Sequence, residues 1–153
     1  MECNIDLNTK TFDGQTALHF ACMNGQLKIA EILVQKSTEI NFDLNAKEKN
    51  GETAFYGACI NGESKIVEML IQVSTEFHVD LNTVTNDGWT AFFAACVQQK
   101  LTVVELMLDN AKFFKLELMT KKINGSTGYQ FAKSHGFTDI VHMIEKKLPS
   151  IAL

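Results

Sequence analysis

The apolar residues of segment 27–35 are spaced like one face of a helix. That face comprises Ile29, Ala30, Ile32, Leu33 and Val34. Polar residues, among them Lys28 and Glu31, occupy the other side. This spacing predicts an amphipathic helix whose apolar face enters a core. Because apolar residues return at the same places in 66–71 and 103–108, the pattern predicts further helices of the same kind.

A shorter apolar segment, 17–22, precedes the amphipathic helix. Thr16 can cap its N-terminus with a side-chain oxygen. Gly25 can end it, because glycine readily takes the left-handed conformation that a helix C-terminus commonly needs. The dipeptide Asp13-Gly14 before the segment is typical of a tight turn. The predicted order is therefore turn, helix, turn, helix.

A spacing of two residues follows the second helix. Apolar residues alternate with polar ones at Ile40, Phe42 and Leu44, then at Phe77, Val79 and Leu81, then at Phe114, Leu116 and Leu118. Alternation of this kind predicts an extended arm with one buried side. The unit is thus expected to be helix, turn, helix and an extended return.

The whole unit recurs every 37 residues. The turn of the first copy, Asp13-Gly14, returns as Asn50-Gly51, Asp87-Gly88 and Asn124-Gly125. A fixed period of this length indicates one supersecondary unit stacked on copies of itself. We therefore divide a single domain, 1–153, into the tail of a partial repeat (1–12), three repeats (13–49, 50–86 and 87–123) and a C-terminal capping repeat (124–153).

The repeat resembles the ankyrin repeat. The matching positions are Gly14-x-Thr16-Ala17-Leu18-His19-Phe20-Ala21 and the later Asp43-Leu44-Asn45. The family pattern has proline where three copies of this chain have alanine, and its histidine is retained only as His19. The resemblance covers about residues 5–148. It implies an all-α solenoid of stacked helix-turn-helix units joined by extended or hairpin arms.

The fourth copy carries charges where the other copies are apolar. Lys133 stands in the column of Cys22, and Glu145 stands in the column of Val34. Terminal repeats need a polar outer face, so we interpret this copy as the C-terminal cap. In the third copy Gln99 replaces the helix-ending glycine. A non-glycine residue there costs about 1–2 kcal/mol, which predicts an irregular or weak turn between residues 97 and 101.

Composition narrows the function classes. The net charge of −4 disfavours nucleic-acid binding, which needs a basic face. No apolar run approaches the ~18 residues of a membrane span. Cys22, Cys59 and Cys96 share one column, and stacked helices lie ~8–10 Å apart, too far for disulfides. Reduced cysteines predict an intracellular location, cytoplasmic or nuclear.

No enzymatic chemistry is predicted. The chain lacks a phosphate-binding loop, zinc-ligand spacing and a nucleophile motif, so we expect no cofactor, no metal and no catalytic residue. His19 is expected to hydrogen-bond within its turn. His78, His135 and His142 are expected at the surface.

The resemblance implies a protein-protein interaction scaffold that binds a protein partner on a concave face of turn tips and first helices. Positions that vary among the copies on that face are the candidate partner-binding residues: Phe12, Met23, Lys47, Lys49, Glu52, Ile60, Asn61, Val84, Asn86, Trp89, Val97, Gln98, Lys121 and Ile123. We expect the patch to centre on Trp89, Ile60 and Val97, since large aromatic residues are favoured interface anchors. The alternative is that Trp89 packs on its neighbouring turn and contributes only stability.

Two other functions remain open at this point. Ile5-Asp6-Leu7-Asn8 matches the arm of a missing repeat, which suggests a structural or self-associating segment of a longer repeat protein. A monomer is expected, with weak self-association through the N-terminal face. Asn8, Asn45 and Asn82 also resemble asparagines that ankyrin-directed hydroxylases modify, although a turn asparagine that satisfies backbone groups is the simpler interpretation.

Overall fold

The computed structural model describes residues 6–113 and 125–149. Within these ranges the chain forms eight α-helices and no strand. The helices are α1 (Ala17–Met23), α2 (Leu27–Lys36), α3 (Ala54–Asn61), α4 (Ser64–Val73), α5 (Ala91–Val97), α6 (Leu101–Asp109), α7 (Gly128–Ser134) and α8 (Thr138–Lys147). A short 3₁₀ turn, Ala111–Phe113, follows α6.

The helices form consecutive antiparallel pairs that stack in two rows. The first helices α1, α3, α5 and α7 pack in sequence against one another. The second helices α2, α4, α6 and α8 form a parallel row behind them. Each helix also packs against its own pair mate. The predicted all-α solenoid of stacked helix-turn-helix units is therefore confirmed.

Every first helix begins at a threonine, as the sequence predicts. The hydroxyl oxygens of Thr53, Thr90 and Thr127 each accept the backbone N–H three residues later. At Thr16 the cap is reciprocal, because its backbone N–H donates to Nδ1 of His19 over 3.1 Å. His19 also reaches the next turn, where its Nε2 lies 3.2 Å from the carbonyl oxygen of Glu52. The predicted turn role of His19 is confirmed.

The turn after α5 is regular, so its predicted irregularity is wrong, and its predicted weakness stays a prediction. Gln99 takes the left-handed conformation at φ 53°, where Gly62 has φ 81°. The backbone N–H of Lys100 donates to the carbonyl of Ala95 over 2.9 Å, the same bond that Glu63 makes over 3.0 Å. The geometry of the turn is therefore retained, and the strain of a side chain at positive φ remains.

Each of the first two return segments begins with a turn before the predicted arm. The N–H of Ile40 donates to the carbonyl of Lys36, which continues the helical path beyond α2. Asn41, at φ 49°, then lets Phe42 N–H bond back to the carbonyl of Ser37 over 2.8 Å. His78 closes the second copy in the same way at φ 55°. After these turns the predicted alternation with one buried side is retained, since Phe42 and Leu44 are buried and Asp43 is exposed. Ile40 belongs to the turn and is exposed. The third arm, with Phe114, Leu116 and Leu118, lies outside the described residues.

The core runs between the two rows of helices, and repeat 1 leaves part of its apolar face exposed. Ile66, Val103 and Ile140 are almost fully buried, whereas Ile29, in the same column, is 50% exposed. Ile32 is 58% exposed. No described helix lies on that side of α1 and α2, so the apolar face predicted for α2 is only partly covered.

The end of the described stack is polar. Lys133 is exposed, and Glu145 accepts a hydrogen bond from the hydroxyl of Tyr129 over 2.8 Å. Lys147 pairs with Glu105 and Asp109 of α6, which ties the last helix to the preceding repeat. These charges are compatible with a solvent-facing end, and the capping role of this repeat stays a prediction.

Candidate functional site

The turn tips of the first three repeats form a hydrogen-bonded row. The backbone N–H of Lys49 donates to the carbonyl of Asp13 over 2.8 Å. One repeat later, the N–H of Asn86 donates to the carbonyl of Asn50 over 2.8 Å, and its side-chain amide donates to the carbonyl of Lys49 over 2.9 Å. These bonds fix the spacing of adjacent tips, so side chains on them are presented on a preorganised edge.

Two candidate lysines contribute to this row. The ammonium of Lys49 lies 2.7 Å from Oδ1 of Asp13, and that carboxylate raises the pKa of Lys49. The ammonium of Lys47 donates to the carbonyl of Val84 over 3.2 Å. Both side chains are exposed, so they remain accessible to a partner while they bridge neighbouring repeats.

Trp89 is half-buried at the tip of the third repeat. Its ring meets the ring of Phe93 edge-on, with centroids 4.8 Å apart. The buried Phe93 in turn contacts Phe131 at 5.6 Å, and Phe131 stacks on His135 at 3.9 Å. Trp89 therefore has both the packing role of the alternative interpretation and an accessible part that could contact a partner.

This aromatic row, Trp89, Phe93, Phe131 and His135, extends the candidate patch beyond the residues predicted. Phe131 stands in a column that holds Phe20 in the first repeat and the small residues Gly57 and Ala94 in the second and third. That change from small to aromatic was the available signal. What the sequence could not supply was the contact between columns, because Phe93 and Phe131 belong to different repeats.

The C-terminal ends of the first helices supply the inner part of the candidate face. Met23, Ile60 and Val97 are each half-buried, and Asn61 and Gln98 are exposed. The amide of Asn61 donates to the carbonyl of Met23 over 3.2 Å, which joins α3 to α1. These apolar residues thus lie in one column along the stacked first helices, partly open to solvent.

Glu52 and Val84 complete the described candidates near Trp89. Burial raises the pKa of Glu52, and the nearby Glu48 carboxylate raises it further. Glu48 is itself buried and accepts hydrogen bonds from the backbone N–H groups of Asn50 and Glu52. Val84 is exposed at the same tip as Trp89.

The remaining candidates lie apart from this centre. Phe12 is fully exposed on the first tip, two repeats from Trp89. Lys121 and Ile123 lie outside the described residues. Among the other candidates, the hydrogen bonds from Lys47 to Val84 and from Asn86 to Lys49 join the tips of adjacent repeats.

The Asp-Leu-Asn asparagines bridge consecutive repeats. The amide nitrogen of Asn45 donates to the carbonyl of His78 over 2.8 Å, and its oxygen accepts the N–H of Asp80 over 2.7 Å. Asn8 makes the equivalent two bonds to Asn41 and Asp43. Both ends of these amides are thus used to hold successive turns together.

The described residues contain no grouping of three or more His, Cys, Asp or Glu that could hold a metal ion. His78, His135 and His142 are exposed, as expected. None of the described helices is long and apolar enough to cross a membrane. Over residues 6–113 and 125–149, Cys22, Cys59 and Cys96 are free and buried.

A family model decides what this stack is. The model for ankyrin repeats in three copies matches residues 1–79 and again residues 36–118. The chain belongs to the ankyrin-repeat family. Ankyrin repeats generally mediate protein-protein interactions and are typically non-enzymatic. A comparison with curated proteins finds no match.

Proposed function

We propose that this ankyrin-repeat protein is a non-catalytic scaffold that binds a protein partner on the concave face formed by its turn tips and first helices. The observation that carries the proposal is the surface around Trp89. There a large aromatic ring is anchored on Phe93 and still partly exposed, at the same tip as the exposed Val84. Ile60 and Val97, at the C-terminal ends of α3 and α5, form the inner part of the proposed face. Interface hot spots are enriched in anchored aromatic side chains of this kind.

Rigidity supports the same proposal. The tips are joined by backbone hydrogen bonds, and the first helices pack in one row. A preorganised surface loses little conformational entropy when it binds, so more of the contact energy appears as affinity. We also propose a cytoplasmic or nuclear location, which the three buried free thiols support.

Affinity capture from the source cell with paired variants tests this function. Trp89→Ala removes the anchored ring, and Val84→Asp places a charge on the same tip at an exposed position. Both should reduce capture of the partner at least tenfold. Leu101→Asp, at an exposed apolar position on α6, is the matched control and should capture normally. The proposal fails if both tip variants, folded as judged by circular dichroism, capture the partner as well as Leu101→Asp does.

The alternative function, a structural segment of a longer repeat protein, makes a different prediction. It requires no partner on the tips, so Trp89→Ala should lower the melting temperature without affecting any capture. The exposed side of α1 and α2 would be its functional surface.

A further inference from the structure

The apolar side of repeat 1 is open to solvent. We define the open end face by Ala17, Phe20, Ile29 and Ile32. Phe20 is 47% exposed, Ile29 50% and Ile32 58%. Ala17 is exposed as well, whereas its counterpart Ala54 is 2% exposed. The same positions that lie inside the stack in later repeats are therefore uncovered here.

Repeat 2 shows what covers such a surface. There α1 packs on α3 and α2 packs on α4. Met23 lies so close to Gly57 that a Cβ on that glycine would be 2.8 Å from Cγ of Met23. The amide of Asn61 completes the contact by donating to the carbonyl of Met23. On the open end face the equivalent amide, that of Asn24, donates to the carbonyl of its own helix at Phe20. The surface therefore fits the apolar side of another helix pair.

The opposite end of the described stack does not provide a matching surface. Lys133 and Lys146 are exposed there, and Glu145 is held by Tyr129. Head-to-tail stacking of two copies would set these charges against Phe20 and Ile29, and burying charges on an apolar surface is unfavourable. Contact between two identical apolar faces avoids this mismatch and closes as a two-fold dimer.

The charges around the open end face permit such a contact. Lys36 is already paired with Glu39 at 2.9 Å on the same chain. Lys28 and Glu31 carry opposite charges one turn apart on α2. When two α2 helices pack antiparallel, Lys28 of one copy can therefore lie near Glu31 of the other.

We propose that the open end face binds a second copy of this chain, with α1 and α2 of each copy packed against those of the other. Three half-exposed side chains offer roughly 300 Å² of apolar area per copy, against about 800 Å² per partner in a standard interface. The dimer is therefore weak and reversible. It leaves the Trp89 tips uncovered, so a dimer presents two partner-binding faces and binds a multivalent partner with increased avidity.

Sedimentation velocity of the full chain tests the dimer between about 10 µM and about 1 mM, the range in which a weak association is populated. Wild type should shift from monomer to dimer across that range. Ile32→Glu and, separately, Ile29→Glu should stay monomeric at every concentration. Leu101→Glu, which adds the same charge at an exposed position of α6, should dimerise as wild type does. Circular dichroism melts verify that each variant is folded.

Three outcomes would overturn the proposal. One is a wild type that stays monomeric throughout. Another is a dimer that persists in both Ile32→Glu and Ile29→Glu, because a different surface would then form it. The last is a concentration-dependent series beyond dimer, which indicates head-to-tail assembly. None of these outcomes bears on capture by the Trp89 tip, so the two proposals fail independently.

Discussion

Replacing Gln99 with glycine should stabilise the protein. Gln99 holds φ 53° at the end of α5, where three other repeats have glycine. Its side chain is exposed, so truncation removes little packing. Relief of the left-handed strain is worth about 1–2 kcal/mol. Glycine also increases the conformational freedom of the unfolded chain, and this lowers the stability of the folded protein by about 0.4–1 kcal/mol.

The net gain is therefore about 0.5–1 kcal/mol, which corresponds to a melting temperature about 2 °C higher for a chain of this size. Urea and thermal unfolding followed by far-UV circular dichroism measure the change. Gln98→Gly is the matched control. Gln98 has φ −82°, so glycine there relieves no strain and should lower stability slightly. An unchanged or lower midpoint for Gln99→Gly would refute the strain argument.

Three further predictions concern the turns and the core. Gly51→Ala should lower the free energy of unfolding by about 2 kcal/mol or more, because residue 51 has φ 81° and the new Cβ would lie 2.9 Å from the backbone nitrogen of Asn86. Urea midpoints measure the loss, and a loss below that of an exposed alanine substitution would contradict the clash. Burial lowers the pKa of His19, so below pH 6.5 the unfolded chain binds more protons than the folded protein does. The free energy of unfolding should therefore be highest above pH 6.5 and fall on acidification. His19→Gln should keep the cap, as Gln130 does over 3.0 Å, and remove that component of the pH dependence; an unchanged pH profile would count against it. Burial raises the pKa of Cys22 to about 12, so its thiol should resist alkylation at pH 8 until urea unfolds the chain. Peptide mapping of the alkylated protein measures this, and rapid labelling of Cys22 in the native protein would disprove its burial.

The fold could be predicted because its signals are local and repeated. The threonine caps, the left-handed helix ends and the helical spacing each depend on a few neighbouring residues, and 37-residue recurrence places them in phase. The turn at the start of each arm could not be predicted, because the alternation that begins at Ile40 does not distinguish an extended residue from a helical turn closed by a left-handed Asn41. Ile29 and Ile32 illustrate a different limit of the sequence pattern. Amphipathic spacing identifies a face that can be buried, and it does not say whether another element covers it.

The candidate positions could be chosen from the sequence column by column, whereas the contacts between them could not be predicted. Variable positions identified Trp89, Ile60 and Val97 without a structure. The packing of Trp89 on Phe93 depends on the rotamers of two side chains in one repeat. The further contact with Phe131 depends on how two repeats stack. Neither is encoded in the identity of a single column.

Hydrogen-deuterium exchange of the chain, free and in complex with its captured partner, tests the central claim most directly. The account predicts slower exchange at the tips 47–52 and 84–89 on binding. It predicts no change at the turns 37–41 and 74–78, which lie at the other ends of the repeats. Protection confined to 37–41 and 74–78, with unchanged exchange at the tips, would contradict binding on the concave face.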